Sequence, residues 1–314
     1  MKCAALLAGG IGDYLLGNRF VPGIINSFNL NKVDLISVSE HHGAAERNGK
    51  FIIDSFPYLY NDLFTINVNA GNPTDMYSIK NMSKDDADRL LSYDAVFELT
   101  IDSLLWMKYG HRPIRNFYHF PKPVFQDSLF INKPYILLHF FQRSNVGSYV
   151  SVPVENAIKI TNLLSEKYTV IHPIYSGNED IVKTNLKDTK CEFVSCSLEE
   201  TWSLARHCLT CVGVSSSIRL FPNHFGIPSF TLFGNGQPFT DNPAYSIRWG
   251  IFPKFTFPLD IEPVAFSKLV LSVIERQELE LFPDYFNNDV DSLILNKKAE
   301  ENNPLYSKFL KILI

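Results

Sequence analysis

The chain has 314 residues, 46% of them hydrophobic, enough to build the cores of two ordinary domains or one large one. Its formal net charge of −4 supplies no global basic field, so a DNA partner is disfavoured, though a local basic patch stays open. Five cysteines, an odd number, fit a reducing compartment better than a disulfide framework, and cytoplasm is the expected location.

From the amino terminus, Lys2 to Leu7 reads as a core strand. Lys2 before an apolar run imitates a signal peptide, but the run is short and Asp13 interrupts it. No stretch approaches the roughly 20 apolar residues of a membrane helix, so no transmembrane segment is expected, and peripheral membrane association stays open. Alternation continues with strands at Val33 to Ser39, Leu63 to Val68 and Ala95 to Leu99, and helices near 14–28, 49–60, 84–92 and 101–109. Strands alternating with helices favour a covered parallel sheet.

Between Arg112 and Pro134 the period dissolves into four prolines and scattered aromatics, the mark of an interdomain connection. Alternation restarts at Tyr135: strand "YILLHFF", helix 154–166, strand "YTVIHPI", helix 178–186, strand "CEFVS", helix 198–207, strand "LTCVGV", a short helix, and strand "SFTLF". Ser197-Leu-Glu-Glu200 is a capping box at the start of the third of these helices. A helix at 263–276 and an amphipathic tail "NPLYSKFLKILI" follow. The expected organisation is a domain over 1–130, a second over 131–280, and a helical tail over 281–314 that packs back on the body.

Three places carry chemistry. In "LAGGIGDYLLGNRF", residues 7–20, Gly9, Gly10 and Gly12 permit positive φ and close approach of a ligand to the backbone. As a dinucleotide fingerprint the run lacks its third glycine, which argues against a nicotinamide-dependent oxidoreductase. Asp13, at the strand-to-helix turn, either caps the helix or takes a proton from a substrate hydroxyl, and the two roles can coexist. Second, in "CVGVSSSIRLFPNHFGIPSFTLFGNG", Ser215, Ser216 and Ser217 at a helix start, with Arg219 one turn in, form a diphosphate seat; the competing reading is a serine cap and a surface arginine. Pro222 makes that helix short or bent. Third, Cys208-Leu-Thr-Cys211 has the spacing of a metal knuckle, but its surroundings read as a helix end and a buried strand.

The order of "GGIGDYLLGNRFVPGI", "YILLHFFQRSNVGSYVSVPVENAIKITNLLSEKYTVIHPI" and "SLEETWSLARHCLTCVGVSSSIRLFPNHFGIPSFTLFG" resembles the heptosyltransferase-type glycosyltransferases, glycosyltransferase family 9, over residues 1 to about 280. The resemblance implies an α/β chain of the GT-B fold: two Rossmann-like doubly wound domains facing across a cleft, the first binding the acceptor and the second the nucleotide sugar. It implies inverting transfer of a sugar from a nucleotide-diphosphate donor to an acceptor hydroxyl, without a metal ion or other cofactor. Gly12-Asp13 match the family's Gly-Asp pair, which makes Asp13 the base.

In the donor motif Ser216 matches the family serine, and Gly226-Ile-Pro228 and Phe233-Gly234 are kept. Ser215, Ser217 and Leu220 stand where the family has aspartate, glycine and histidine, so the motif is degraded. By position, Arg143 falls where the family sets basic groups against donor phosphates, and Asn235, Thr240 and Asp241 border the donor. Gly10, Gly12, His41 and His111 fall on the loop and acceptor side, His41 at the end of the second strand and His111, in "GHRPIR", at the end of the first domain's last helix. The acceptor is a glycan or another hydroxyl compound, a nucleic acid included. The degraded motif also suits a lapsed scaffold that binds a glycan or a protein.

Overall fold

Every residue of Cys3–Ala8 is buried, as an unbroken apolar run demands of a central parallel strand. This computed structural model describes residues 1–39, 44–67, 83–99, 111–112, 120–141, 151–175, 177–214, 216–227, 229–233, 256–276 and 293–294. The chain divides into two compact units, Met1–Val124 with Asp284–Ile314, and Phe125–Pro283.

In the first unit, β1 (Cys3–Ala8), α1 (Ile11–Asn18), α2 (Val21–Ser27), β2 (Val33–Ser39), α3 (Ala44–Ser55), β3 (Tyr60–Asn67), α4 (Lys84–Leu91) and β4 (Ala95–Glu98) follow in order. Their strands form one parallel sheet ordered β3-β2-β1-β4. On one face Ala4, Leu6 and Ala8 pack with Ile36, Val38, Phe64 and Ile66 against Leu90 and Tyr93. The spacing of two residues along β1 is what a strand buried on both faces requires. A short strand β5 (His111–Arg112) pairs antiparallel with β12 (Leu293–Ile294).

Three sequence expectations need correction here. The helix expected over 14–28 is two helices, because Pro22 has no N–H and its ring would meet the carbonyl four residues back; it sits instead in the first turn of α2. The helix expected over 49–60 runs Ala44–Ser55, since Pro57 drives Phe56 out of the α region, and β3 starts three residues earlier than expected. His111 was placed at the end of a helix and lies in an extended pair. The helix expected over 101–109 and the amphipathic tail lie outside the described residues.

The second unit contains β6 (Tyr135–His139), α5 (Val154–Ser165), β7 (Thr169–Ile174), α6 (Glu179–Leu186), β8 (Glu192–Ser195), α7 (Thr201–His207), β9 (Thr210–Val214), α8 (Leu220–Asn223), β10 (Ser229–Phe233), β11 (Thr256–Pro258) and α9 (Pro263–Glu275). All six of its strands are parallel, in the order β11-β10-β9-β6-β7-β8. Read from the other edge this is the doubly wound order 3-2-1-4-5-6, with the reversal between β6 and β9. The first sheet reverses in the same sense between β1 and β4. One face of the second sheet packs Tyr135, Leu137 and Ile171 against Leu204 and Cys208; on α9, Phe266 meets the rings of Phe230 and Phe257 at 6.1 and 5.3 Å. Each such side chain contributes about 1.5–3 kcal/mol on burial.

Candidate functional site

The loop leaving β1 holds Asp13 by its own backbone. Gly10 is the residue before α1, and Asp13 stands three residues on, where its Oδ2 accepts the Gly10 N–H at 2.8 Å. Asp13 is therefore not the cap itself but the acidic half of a capping box, which fixes the direction of its carboxylate. Capping takes one of the several acceptor sites on a carboxylate, so it does not preclude chemistry there.

Of the three glycines only Gly9 has a positive φ, at +98°, and a Cβ there would sit 2.5 Å from Asp13 Oδ2. Gly10 has ordinary extended backbone and Gly12 lies inside α1, so neither uses the freedom the sequence suggests. Asn48, 2% exposed on α3, donates its amide to the Gly9 carbonyl at 3.3 Å. Beneath this turn the Tyr14 hydroxyl and Ser37 Oγ lie 2.6 Å apart, and Ser37 donates to the Ala45 carbonyl at 2.5 Å. Burial pushes the Tyr14 hydroxyl up to about 12, so it stays protonated.

The turn leaving β9 is built differently. Ser217–Arg219 make a single 3-10 turn that runs into the four residues of α8, with Pro222 inside it. The chain then reverses through Gly226 at φ +79°, where the N–H groups of Gly226 and Ile227 return to the carbonyls of Asn223 and Pro222 at 3.1 Å each. That Schellman closure ends the helix after one turn. Such a short segment carries little macrodipole, so the diphosphate seat read from its helix start falls back on hydroxyls and backbone N–H groups.

Ser216 Oγ lies 2.9 Å from Nδ1 of His139, the last residue of β6, a residue the sequence did not single out. Arg219 is 1% exposed, which rules out the surface arginine; its charge reaches Cys211, whose thiol burial still pushes up to about 12. Leu220, at the family's histidine position, is 1% exposed. The reciprocal bonds between Ser197 and Glu200, 3.1 and 2.8 Å, form the expected capping box, one turn before α7.

His111 is placed only in its backbone. His41, Arg143, Ser215, Asn235, Thr240 and Asp241 lie outside the described residues. All five cysteines are buried and unpaired with one another, and burial raises the thiols of both Cys208 and Cys211. Among the described residues no group of three His, Cys, Asp or Glu side chains could hold a metal ion. Two Asp-x-Asp sequences occur. Asp86-Ala87-Asp88 lies in α4, where Asp86 is in the acidic first turn, and Asp289-Val290-Asp291 lies outside the described residues. No helix among the described residues is long and apolar enough to cross a membrane.

No protein-family model and no curated protein sequence matches the chain. Solved structures do resemble it. ADP-heptose lipopolysaccharide heptosyltransferase II from E. coli superposes with a TM-score of 0.59 at 12% identity, covering 88% of this chain and all of that one. A family 9 glycosyltransferase from Veillonella parvula gives 0.57 at 9% identity, covering 98% and 97%. The E. coli heptosyltransferase WaaC, solved with ADP, gives 0.54 at 13% identity, covering 87% and 99%. At these identities the likeness speaks for architecture alone, and it spans nearly the whole of each compared chain. The two parallel α/β units thus have the GT-B fold of the heptosyltransferases.

Proposed function

We propose that this chain is a glycosyltransferase that moves a sugar from a nucleotide-diphosphate donor to an acceptor hydroxyl, with inversion and without a metal ion. One observation carries the reading: on a fold shared with heptosyltransferases, a carboxylate of fixed direction stands just beyond the carboxyl end of β1, beside the strand-order reversal where such sheets take ligands. In this reading 1–130 serves the acceptor and 131–280 the donor. Asp13 accepts the proton of the acceptor hydroxyl as its oxygen bonds to the anomeric carbon, and the bond from that carbon to the diphosphate oxygen breaks. The departing diphosphate keeps the electron pair. Its charge falls to Ser215, Ser216, Ser217 and Arg143, with Arg219 acting from within the unit, and fixed donors of this kind replace a divalent ion. Asn235 and Asp241 border the donor; Gly10, Gly12, His41 and His111 belong to the acceptor side.

A panel of nucleotide-diphosphate sugars, followed by thermal shift and by release of nucleoside diphosphate with and without EDTA, tests this reading. Stabilisation by one donor and EDTA-resistant release with inverted anomeric configuration are expected. Stabilisation by nicotinamide cofactors alone overturns the reading. A second reading, a scaffold that binds a glycan without turnover, draws on the buried Leu220 at the family's histidine position; silence across the donor panel with binding to glycans selects it.

A further inference from the structure

His139 has no part in the reaction just described, yet it occupies a special place. It ends β6, is 7% exposed, and stands opposite Gly213 in the parallel ladder with β9. A Cβ at 213 would lie 2.6 Å from the His139 carbonyl oxygen, so only glycine lets the two strands close up there. That approach brings Ser216, just past the end of β9, to 2.9 Å from the imidazole Nδ1. Strands β6 and β9 are also the pair between which the order of this sheet reverses, the point where doubly wound sheets take their ligands.

The far side of the ring is fixed as well. His172 on β7 lies 5.7 Å away between ring centroids. Its Nε2 accepts the Phe140 N–H at 3.4 Å, which leaves the proton on Nδ1, 3.0 Å from the Pro173 carbonyl. Burial holds both rings neutral, His139 lowered to about 3 with His172 as a second cause, and His172 lowered to about 4. A neutral imidazole has one N–H, so the Ser216 bond has one polarity at a time.

We infer that His139 is a positioning residue for phosphate recognition, its Nδ1–H donating to Ser216 Oγ and so turning the serine proton toward an oxygen of a bound diphosphate. The inference rests on the donor reading above and adds a residue to it. A serine hydroxyl otherwise rotates among several partners. With one lone pair held by the ring, its proton is directed to what lies beyond the strand ends. The opposite polarity would offer an anion only lone pairs, so a bound phosphate selects the Nδ1–H tautomer. The gain is a fixed donor supplied without a second cation.

The test is calorimetric titration of the full chain with ADP, UDP, their nucleosides and inorganic pyrophosphate. It compares the wild type with Ser216→Ala, His139→Ala, the double variant and His139→Asn, whose amide reaches about as far as Nδ1. Each alanine variant is expected to weaken diphosphate and pyrophosphate binding about tenfold to a hundredfold while nucleoside affinity stays put, the loss of one hydrogen bond to a charged group. The double variant should be no weaker than either single one, and His139→Asn should recover most of the affinity.

Unchanged diphosphate affinity in His139→Ala overturns the inference, as does parallel loss of nucleoside and diphosphate binding, which would make the ring mere packing. If His139→Ala fails to fold, Ser216→Ala and His139→Asn decide by the same comparison. Pyrophosphate binding that depends on His139 without any sugar transfer supports the inference and overturns the transferase reading. Transfer that proceeds equally well in His139→Ala does the reverse. A wild type that binds no diphosphate overturns the inference.

Discussion

The loop after β1 and the turn after β9 both leave a central parallel strand, yet they hold their polar side chains by opposite means. Asp13 is fixed within four residues of itself, by the Gly10 N–H and a left-handed Gly9. Ser216 is fixed by a partner 77 residues away, across a strand pair that only glycine allows to close. The first arrangement survives distant changes and fails to local ones; the second depends on the packing of a whole sheet. A carboxylate whose direction is set locally suits the first, and a hydroxyl bonded to a buried ring suits the second.

The largest effect expected from breaking this contrast is on turnover. Asp13→Asn keeps an acceptor for the Gly10 N–H but removes the base, so transfer should fall about 10²–10⁴-fold with donor affinity intact, read from product formation and titration side by side. Comparable turnover in the variant would reduce Asp13 to a helix cap.

Acid should then separate the two units. His139 and His172 are neutral in the folded state and titrate near pH 6.5 once unfolded, so the unfolded chain takes up protons first as pH drops. Stability is full above about pH 6.5 and is lost as pH falls toward the lowered folded values. The loss is about 2 kcal/mol for each histidine by about pH 5. Chemical denaturation across that range, followed by a probe in the second unit, checks this, and His172→Asn should flatten the curve.

Smaller again is Gly9→Ala, which combines a strained φ with a clash against Asp13 and should cost about 1–3 kcal/mol, together with lost activity because the carboxylate must shift. Gly226→Ala is the weakest blow. No atom lies within 4 Å of a Cβ there, so the cost is backbone strain alone, about 1 kcal/mol in melting experiments, with donor binding unaffected.

Much of the fold was legible in the sequence because parallel strands buried on both faces are rich in apolar residues: "CAALLA" is a continuous apolar run, and "VDLISVS" and "SFTLF" keep a majority of aliphatic or aromatic residues despite single polar interruptions. Helix boundaries were legible where a proline marks them, as at Pro263; the box at Ser197 was legible but its helix starts three residues later than read, at Thr201, and the boundary at 14–28 was misread because the proline belonged to a second helix. Asp13 could be found because a Gly-Asp pair at a strand-to-helix turn is a local pattern. Gly9 could not be told from its two neighbours, since what singles it out is the approach of a side chain four residues on. His139 was beyond reach. Nothing in "YILLHFF" says which residue will end beside Ser216 until the order of strands is known.

Gly49 on α3 has a consequence of its own. A Cβ there would press within 2.6 Å of Leu63 Cδ1 and 3.0 Å of Ser37 Oγ, the same hydroxyl that meets Tyr14 beneath the first turn of α1. A methyl group added at position 49 would lift its helix off the sheet, and the displacement would be felt through serine and tyrosine by the residue next in line, Asp13. The direction of the Asp13 carboxylate thus depends partly on how little side chain is tolerated at position 49.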